Sequence, residues 1–289
     1  MPVVHGHRSV LERVAELGIP VPGRDTPATV REPDPAVDPF QDPGLAQRIC
    51  LEQAVAAALA GEVDALLTGP VDKARLAAAG FPHPGHTDFL AAAAGVPVAM
   101  MFVSPDLRVV PATVHVPMRQ VPEALATHLA PTLVTTALAL QQDFGIARPR
   151  VAVAGLNPHA GEGGLIGREE RTILEPAMQR AAADLAARGH RVQLLGPLPG
   201  DTVFLLATRG ECDAVVASYH DQALIPVKLL AFDRAVNLTV GLPYIRTSPA
   251  HGTAPDLAWS GRANPGSTRA ALELAVSLAR NRARGAAAN

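Results

Sequence analysis

Six short apolar runs, each closed by Gly, Pro or a polar residue, recur along the chain with helix-length segments between them. The runs are "EVDALLTGP" (62–70), "VAMMFVSP" (98–105), "RVVPATVHVP" (108–117), "RVAVAGLNP" (150–158), "CDAVVASYHD" (212–221) and "AVNLTVGLP" (235–243). Such uninterrupted apolar runs mark strands buried on both faces, as parallel strands are. The segments between them are "LAQRICLEQAVAAALAG", "VPEALATHLAPTLVTTALALQQDFG" with an interruption expected at Pro131, "EERTILEPAMQRAAADLAARG" and "PGSTRAALELAVSLARNRARG". Strands alternating with helices predict an α/β chain with a mostly parallel sheet. Residues 20–43 contain seven prolines and read as a surface loop or linker. A chain of 289 residues has room for one large α/β unit or two lobes.

In open α/β folds ligands bind beyond the carboxyl ends of the strands. That rule selects Thr68 to Lys73, His115, Asn157 to Gly167, His220 to Lys228 and the 243–252 segment, which are also the least generic stretches of the chain. Composition narrows the ligand. A net charge of -2 and 3% aromatic residues give neither a basic field nor stacking platforms, so no nucleic-acid partner is expected. No apolar run approaches the roughly 20 residues of a membrane span, and the start of the chain has no signal-peptide pattern. Cys50 and Cys212 have no metal or redox spacing and suggest a reducing compartment. A cytoplasmic protein is expected. Of 25 Lys and Arg residues, 23 are Arg; Lys73 and Lys228 are the only lysines. In so Arg-rich a chain, a lysine marks a place that needs a compact, titratable ammonium.

Three histidines, His115, His159 and His220, fall at three separate predicted strand ends. They either converge on one divalent metal or act as ordinary hydrogen-bonding side chains, and their spacing does not decide which. "NPHAGEGGLIGREE" is a Gly-rich loop entering a helix, and its glycines suit close approach of a cofactor or phosphate. His86 and Thr87 precede a helix, where Thr87 serves equally well as an N-cap. Arg246 and His251 fall in an expected Pro- and Gly-rich loop, where Arg246 suits a phosphate or carboxylate.

Together "TGPVDKA", "GHTDFLA", "TVHVP", "LNPHAGEGGLIGREE", "YHDQALIPVK" and "VNLTVGLPYIRTSPAHGTAPDLAWSGRANPGS" resemble the motifs of the 4-hydroxythreonine-4-phosphate dehydrogenases of vitamin B6 biosynthesis. The resemblance spans roughly residues 3 to 275. It implies an isocitrate/isopropylmalate dehydrogenase-like fold, with two α/β/α lobes (1–120 plus 240–289, and 121–239) and the active site in the cleft between them. It implies NAD or NADP, one divalent ion (Zn, Mg or Co), a phosphorylated small-molecule substrate, and a homodimer with active sites at its interface. By motif, His115, His159 and His220 would hold the metal, and His86, Thr87, Lys228, Asn237 and Arg246 the substrate. Gly161, Gly163 and Gly164 would face the cofactor. Asp221 and Lys228 are the proton-transfer candidates, Asp221 being also able to orient His220.

The implied reaction is oxidation of 4-phosphooxy-L-threonine at C3, followed by decarboxylation. Threonate or erythronate 4-phosphate, or an aromatic cis-dihydrodiol, are the alternative substrates, and a relative without turnover is the alternative of another class. The family's opening strand and Gly-rich segment have no counterpart before Met1, so an upstream start is expected. Ala250 stands where the family often has Asp, and Ala223 where it has Gly. Ala250, Ala223 and the lone Trp259 are expected to reshape the substrate pocket.

Overall fold

A computed structural model of the chain describes residues 1–34 and 36–287. Near its start, β1 (Val3–His5) and β2 (Thr29–Arg31) pair in parallel around α1 (Arg8–Glu16), so part of the expected 20–43 loop is a strand. All six predicted strands are present, trimmed to their apolar centres: β3 (Ala65–Leu67), β4 (Ala99–Val103), β5 (Arg108–Pro111), β6 (Arg150–Ala154), β8 (Ala214–Ala217) and β9 (Val236–Val240). Two further strands, β7 (Gln193–Leu198) and β10 (Ile245–Pro249), complete an eight-stranded sheet in the order β3-β10-β9-β4-β5-β8-β6-β7. Strands β5, β8, β6 and β7 run parallel, as do β3 and β10. The antiparallel strands β9 and β4 join these two blocks.

One face of the sheet packs on α5 (Val121–Gln142), α6 (Glu175–Ala187) and α9 (Gly266–Ala287) through Met101, Val110, Leu129, Val151 and Leu238. Pro131 does not break α5, contrary to expectation. A proline inside a helix costs about 3 kcal/mol, but burying a single leucine stabilises by about 1.5–3. Leu125, Leu129 and Leu133 are all buried on that helix, so packing prevails.

The other face carries three separate clusters. Leu51, Leu66 and Leu90 pack beneath α2 (Pro43–Leu59), α3 (Lys73–Ala78) and α4 (His86–Ala94). Ala152 and Val215 meet α7 (Val203–Thr208), while Phe102, Val109 and Ala217 meet α8 (His220–Ala231). Ala223 is fully buried in this last cluster, so its methyl fills core and does not shape a pocket wall as expected.

Between the α2–α4 cluster and the α8 cluster the same face turns polar. Thr247 hydrogen-bonds Ala271 O of α9 at 3.0 Å, so its neighbours Arg246 and Ser248 point the other way. Cross-strand register places Arg246 opposite Thr239 and Ser248 opposite Asn237. Leu66 flanks Arg246 on one side and Phe102 flanks Asn237 on the other. A polar stripe enclosed by two apolar clusters is where the fold leaves room for chemistry.

Candidate active site

Arg246 occupies β10, not the loop expected from its Pro- and Gly-rich surroundings, and is only 1% exposed. Its Nη1 donates to Thr239 Oγ1 at 3.0 Å, and its Nη2 to Thr68 Oγ1 at 2.6 Å and to His86 Nδ1 at 3.0 Å. No carboxylate pairs with it among the described residues, and its Nε has no partner. Burial pushes the guanidinium down to about 10, which leaves it charged at neutral pH.

His86 is the first residue of α4 and Gly85 its N-cap, so Thr87 lies inside the first turn and is not the cap. A guanidinium only donates, so His86 Nδ1 accepts and the ring proton sits on Nε2. That Nε2 is buried without a partner, as are Asn237 Oδ1 and Tyr244 Oη. Burial first, then Arg246 and Lys73, lower the His86 pKa to about 3, which keeps the ring neutral. Each buried unpaired polar atom costs about 1–3 kcal/mol, so several on one side of the sheet mark a surface built for a ligand. The donors Arg246 and His86 suit an anion.

The predicted metal histidines follow three neighbouring parallel strands. His115 comes after β5, His220 opens α8 just after β8, and His159 follows β6. The His115 and His220 rings stand 5.8 Å apart, centroid to centroid. His220 Nδ1 lies 2.7 Å from Asp221 Oδ1, which fixes the ring and leaves Nε2 free to ligate. His159 instead bonds Glu162 Oε2 through Nδ1 at 2.9 Å. Among the described residues no three His, Cys, Asp or Glu side chains gather as a metal-holding group. Within one chain His115 and His220 come together, and no third such side chain completes the group among the described residues.

Both His115 and His159 hold positive φ, 55° and 52°, a conformation that non-glycine residues keep only where the surroundings enforce it. Around His159 the backbone winds left-handed, with positive φ from His159 through Gly164. Asn157 clamps this turn: its N–H donates to Glu170 at 2.7 Å and its Nδ2 to Glu169 and Glu170 at 2.8 and 2.9 Å. Gly161 is buried against Glu170, whereas Gly163 and Gly164 lie beside the Arg171 guanidinium. Those two glycines and Arg171 fit a pyrophosphate; Gly161 is already taken up by packing.

Gln222 ties the strand ends together, accepting from Ser218 N at 2.7 Å and donating to Gly155 O at 2.9 Å. Lys228 lies on the exposed side of α8 and forms no hydrogen bond or ion pair among the described residues. His251 is exposed in a loop and bonds Gly252 O. Trp259 packs with Phe40 across 6.2 Å and beneath Arg13, so it joins the N-terminal segment to the 255–262 loop and does not line the polar stripe. Thr68, Asn157 and Gln222 fall within the stretches selected from the sequence but carry no assigned role there, and Thr239 and Glu170 are not among its candidates. Their roles depend on cross-strand register and loop closure, which no local pattern carries. Two concavities of about 490 and 940 Å3 lie on the opposite side, along α5 and the end of α9, and none of the predicted site residues lines them.

The chain matches the family model described as "Pyridoxal phosphate biosynthetic protein PdxA" over residues 2–275. It is 46% identical over 282 residues to the 4-hydroxythreonine-4-phosphate dehydrogenase of Bradyrhizobium diazoefficiens, covering 96% of this chain and 78% of that one. The crystal structure of a 4-hydroxythreonine-4-phosphate dehydrogenase from Klebsiella pneumoniae superposes with a TM-score of 0.79 at 37% identity, covering 96% and 90%. A terephthalate 1,2-cis-dihydrodiol dehydrogenase from Burkholderia xenovorans superposes at 0.66 with 32% identity, covering 95% and 89%.

Proposed function

The chain belongs to the PdxA family of pyridoxal phosphate biosynthetic proteins, whose named relatives are 4-hydroxythreonine-4-phosphate dehydrogenases, and on that premise we propose that it oxidises 4-phosphooxy-L-threonine at C3. NAD or NADP is the oxidant. The product, 2-amino-3-oxo-4-phosphooxybutanoate, loses CO2 to give 3-amino-2-oxopropyl phosphate. The observation that carries this reading is the buried guanidinium of Arg246, which has no acid of its own and is joined to a neutral, donating His86. A phosphate supplies the missing charge and the missing acceptors. An aromatic cis-dihydrodiol brings no phosphate to this end, which favours a phosphorylated substrate; threonate and erythronate 4-phosphate share that feature.

The candidate residues divide the work. Arg246, His86 and Thr87 hold the phosphate, and Asn237, two residues along β9 from Thr239 on the same face, receives a donor from the substrate. Anchoring one end fixes C3 against the nicotinamide, so binding energy is used for orientation. His115, His159 and His220 are the residues to hold the divalent ion (Zn, Mg or Co), and Asp221 orients His220. When bound, that ion supplies Lewis-acid stabilisation of charge at the hydroxyl oxygen. Asp221 and Lys228 are the groups to move protons. Gly163 and Gly164, with Gly161 supporting them, approach the dinucleotide.

The lack of a complete three-residue group among the described residues of one chain fits a homodimer with the active site at its interface. Helix α8 exposes Ile225, Leu229 and Leu230 around Lys228, Phe232 is exposed at its C-cap, and Leu165 and Ile166 are exposed in the glycine loop. A second copy covering these faces brings histidines and substrate residues of two chains together. The lobes, 1–120 plus 240–289 and 121–239, then border a shared cleft. Among the described residues no helix is long and apolar enough to cross a membrane. Free Cys50 and Cys212 suit a reducing cytoplasm.

The test is reduction of NAD+ or NADP+ by purified protein with 4-phosphooxy-L-threonine, before and after removal of divalent ions. Activity is expected only with metal present. Turnover that survives complete chelation contradicts the assigned role of the histidines.

A further inference from the structure

Beyond its effect on His86, Lys73 has no assigned role, although it is one of only two lysines among 25 cationic side chains. It opens α3 directly after Asp72, on the segment that leaves β3 through Thr68. Strand β3 lies beside β10 with Leu66 opposite Arg246, so this segment emerges next to the buried guanidinium. The Lys73 Cε and Nζ lie 3.5 and 3.6 Å from the point where a side chain on Gly85 would begin. Gly85 is the N-cap of α4 and offers no capping side chain, so the open N–H groups of the first turn stay available beside the ammonium.

Lys73 forms no hydrogen bond or ion pair among the described residues. The carboxylate before it is occupied: Asp72 accepts from Ala74 N and Arg75 N and pairs with Arg75 at 3.3 Å. The nearby Asp88 carboxylate, 4.0 Å from that same point over Gly85, is not paired with Lys73 either. The charge of Lys73 is nevertheless felt at His86, where it adds to that of Arg246 in disfavouring protonation.

We propose that Lys73 is the rim cation of the anion site formed by Arg246, His86 and the start of α4, and that it selects a doubly charged phosphate monoester over a singly charged or neutral substrate end. The proposal rests on the reading that the Arg246 end takes a phosphorylated substrate. A phosphate monoester carries about -1.5 to -2 charges at neutral pH. Inside the site only Arg246 is charged, because His86 is neutral; one charge of a dianion is left for the rim. A lysine suits that place where an arginine does not. Its compact ammonium on a flexible stem fits over the side-chain-free Gly85, whereas a planar guanidinium needs more room.

The experiment compares the full chain with Lys73→Met and Lys73→Arg, loaded with metal, using 4-phosphooxy-L-threonine as substrate and inorganic phosphate as competing probe. Thermal unfolding accompanies each variant; Lys73 is exposed, so neither change is expected to alter the midpoint. In Lys73→Met the KM and the phosphate inhibition constant should both rise about tenfold or more, with kcat changed little. Lys73→Arg should recover part of the loss. Unchanged KM and phosphate inhibition in Lys73→Met, with an active and phosphate-inhibited wild type, overturns the assignment and leaves the Arg246 site standing. A matching fall in kcat and unfolding midpoint also overturns it, in favour of a structural role. A wild type that neither uses the substrate nor responds to phosphate overturns the underlying reading, and the Lys73 role with it.

Discussion

Arg246 and His86, 160 residues apart in the chain, meet at 3.0 Å with the guanidinium donating to the imidazole Nδ1. The contact settles the tautomer of a buried histidine, with no carboxylate paired to either side chain among the described residues. It turns His86 into a directed Nε2–H donor and leaves a buried positive charge lacking its counter-charge. Two consequences follow, one for stability and one for ligand choice.

His86 should make stability sensitive to mild acid. Its folded pKa is about 3, against 6.5 for a free histidine. Between those values the unfolded chain binds a proton that the folded chain refuses, so stability rises with pH there. The His86 contribution is fully present above 6.5 and is lost as the pH falls toward 3. Urea unfolding at about pH 4 and about pH 7 should show a smaller loss for His86→Gln than for the parent. Equal losses would mean that His86 is not held neutral.

Gly161 is held at φ 80°, and a side chain there would meet Glu170 Oε2 at 2.6 Å. Gly161→Ala should therefore destabilise the protein by about 2 kcal/mol, combining left-handed strain with displacement of the buried carboxylate. Chemical denaturation reads this directly. A neutral result would show that the loop yields easily and that Glu170 is no anchor.

Asp221 bonds the Nδ1 of His220 at 2.7 Å. Asp221→Asn should weaken zinc or cobalt binding by about 10–100-fold while leaving the unfolding midpoint in place. Titration of metal-free protein measures it. Unaltered affinity would remove Asp221 from the metal centre.

Leu229 on α8 is 82% exposed and Phe232, its C-cap, 72%. Replacing both with Asp should turn the proposed dimer into a monomer in light scattering and abolish turnover along with it. A monomeric variant with full activity would confine the active site to one chain.

Much of this was legible from the amino acids. Uninterrupted apolar runs located β3, β4, β5, β6, β8 and β9 because buried strands need little else. The two missed strands of the eight-stranded sheet broke that rule. β7 reads "QLLGPL", with Gly and Pro in its middle, and β10 reads "IRTSP", whose Arg and Ser face the polar stripe and whose Thr bonds a helix carbonyl. The chemistry that made β10 interesting is also what disguised it as a loop. His115, His159 and His220 were visible as strand-end residues. The left-handed turn that carries His159 depends on Glu170, thirteen residues beyond Asn157, and loop closure of that kind leaves no period in the sequence.

The central claim is that the Arg246–His86 end recognises phosphate. The most direct measurement compares kcat/KM of the metal-loaded protein for 4-phosphooxy-L-threonine, for its dephosphorylated form 4-hydroxy-L-threonine, and for an aromatic cis-dihydrodiol, with NAD+ and NADP+. The account predicts a preference for the phosphorylated substrate on the order of a thousandfold, as expected when a buried charged site is left unpaired by the wrong ligand. Equal or faster oxidation of the dihydrodiol would contradict it.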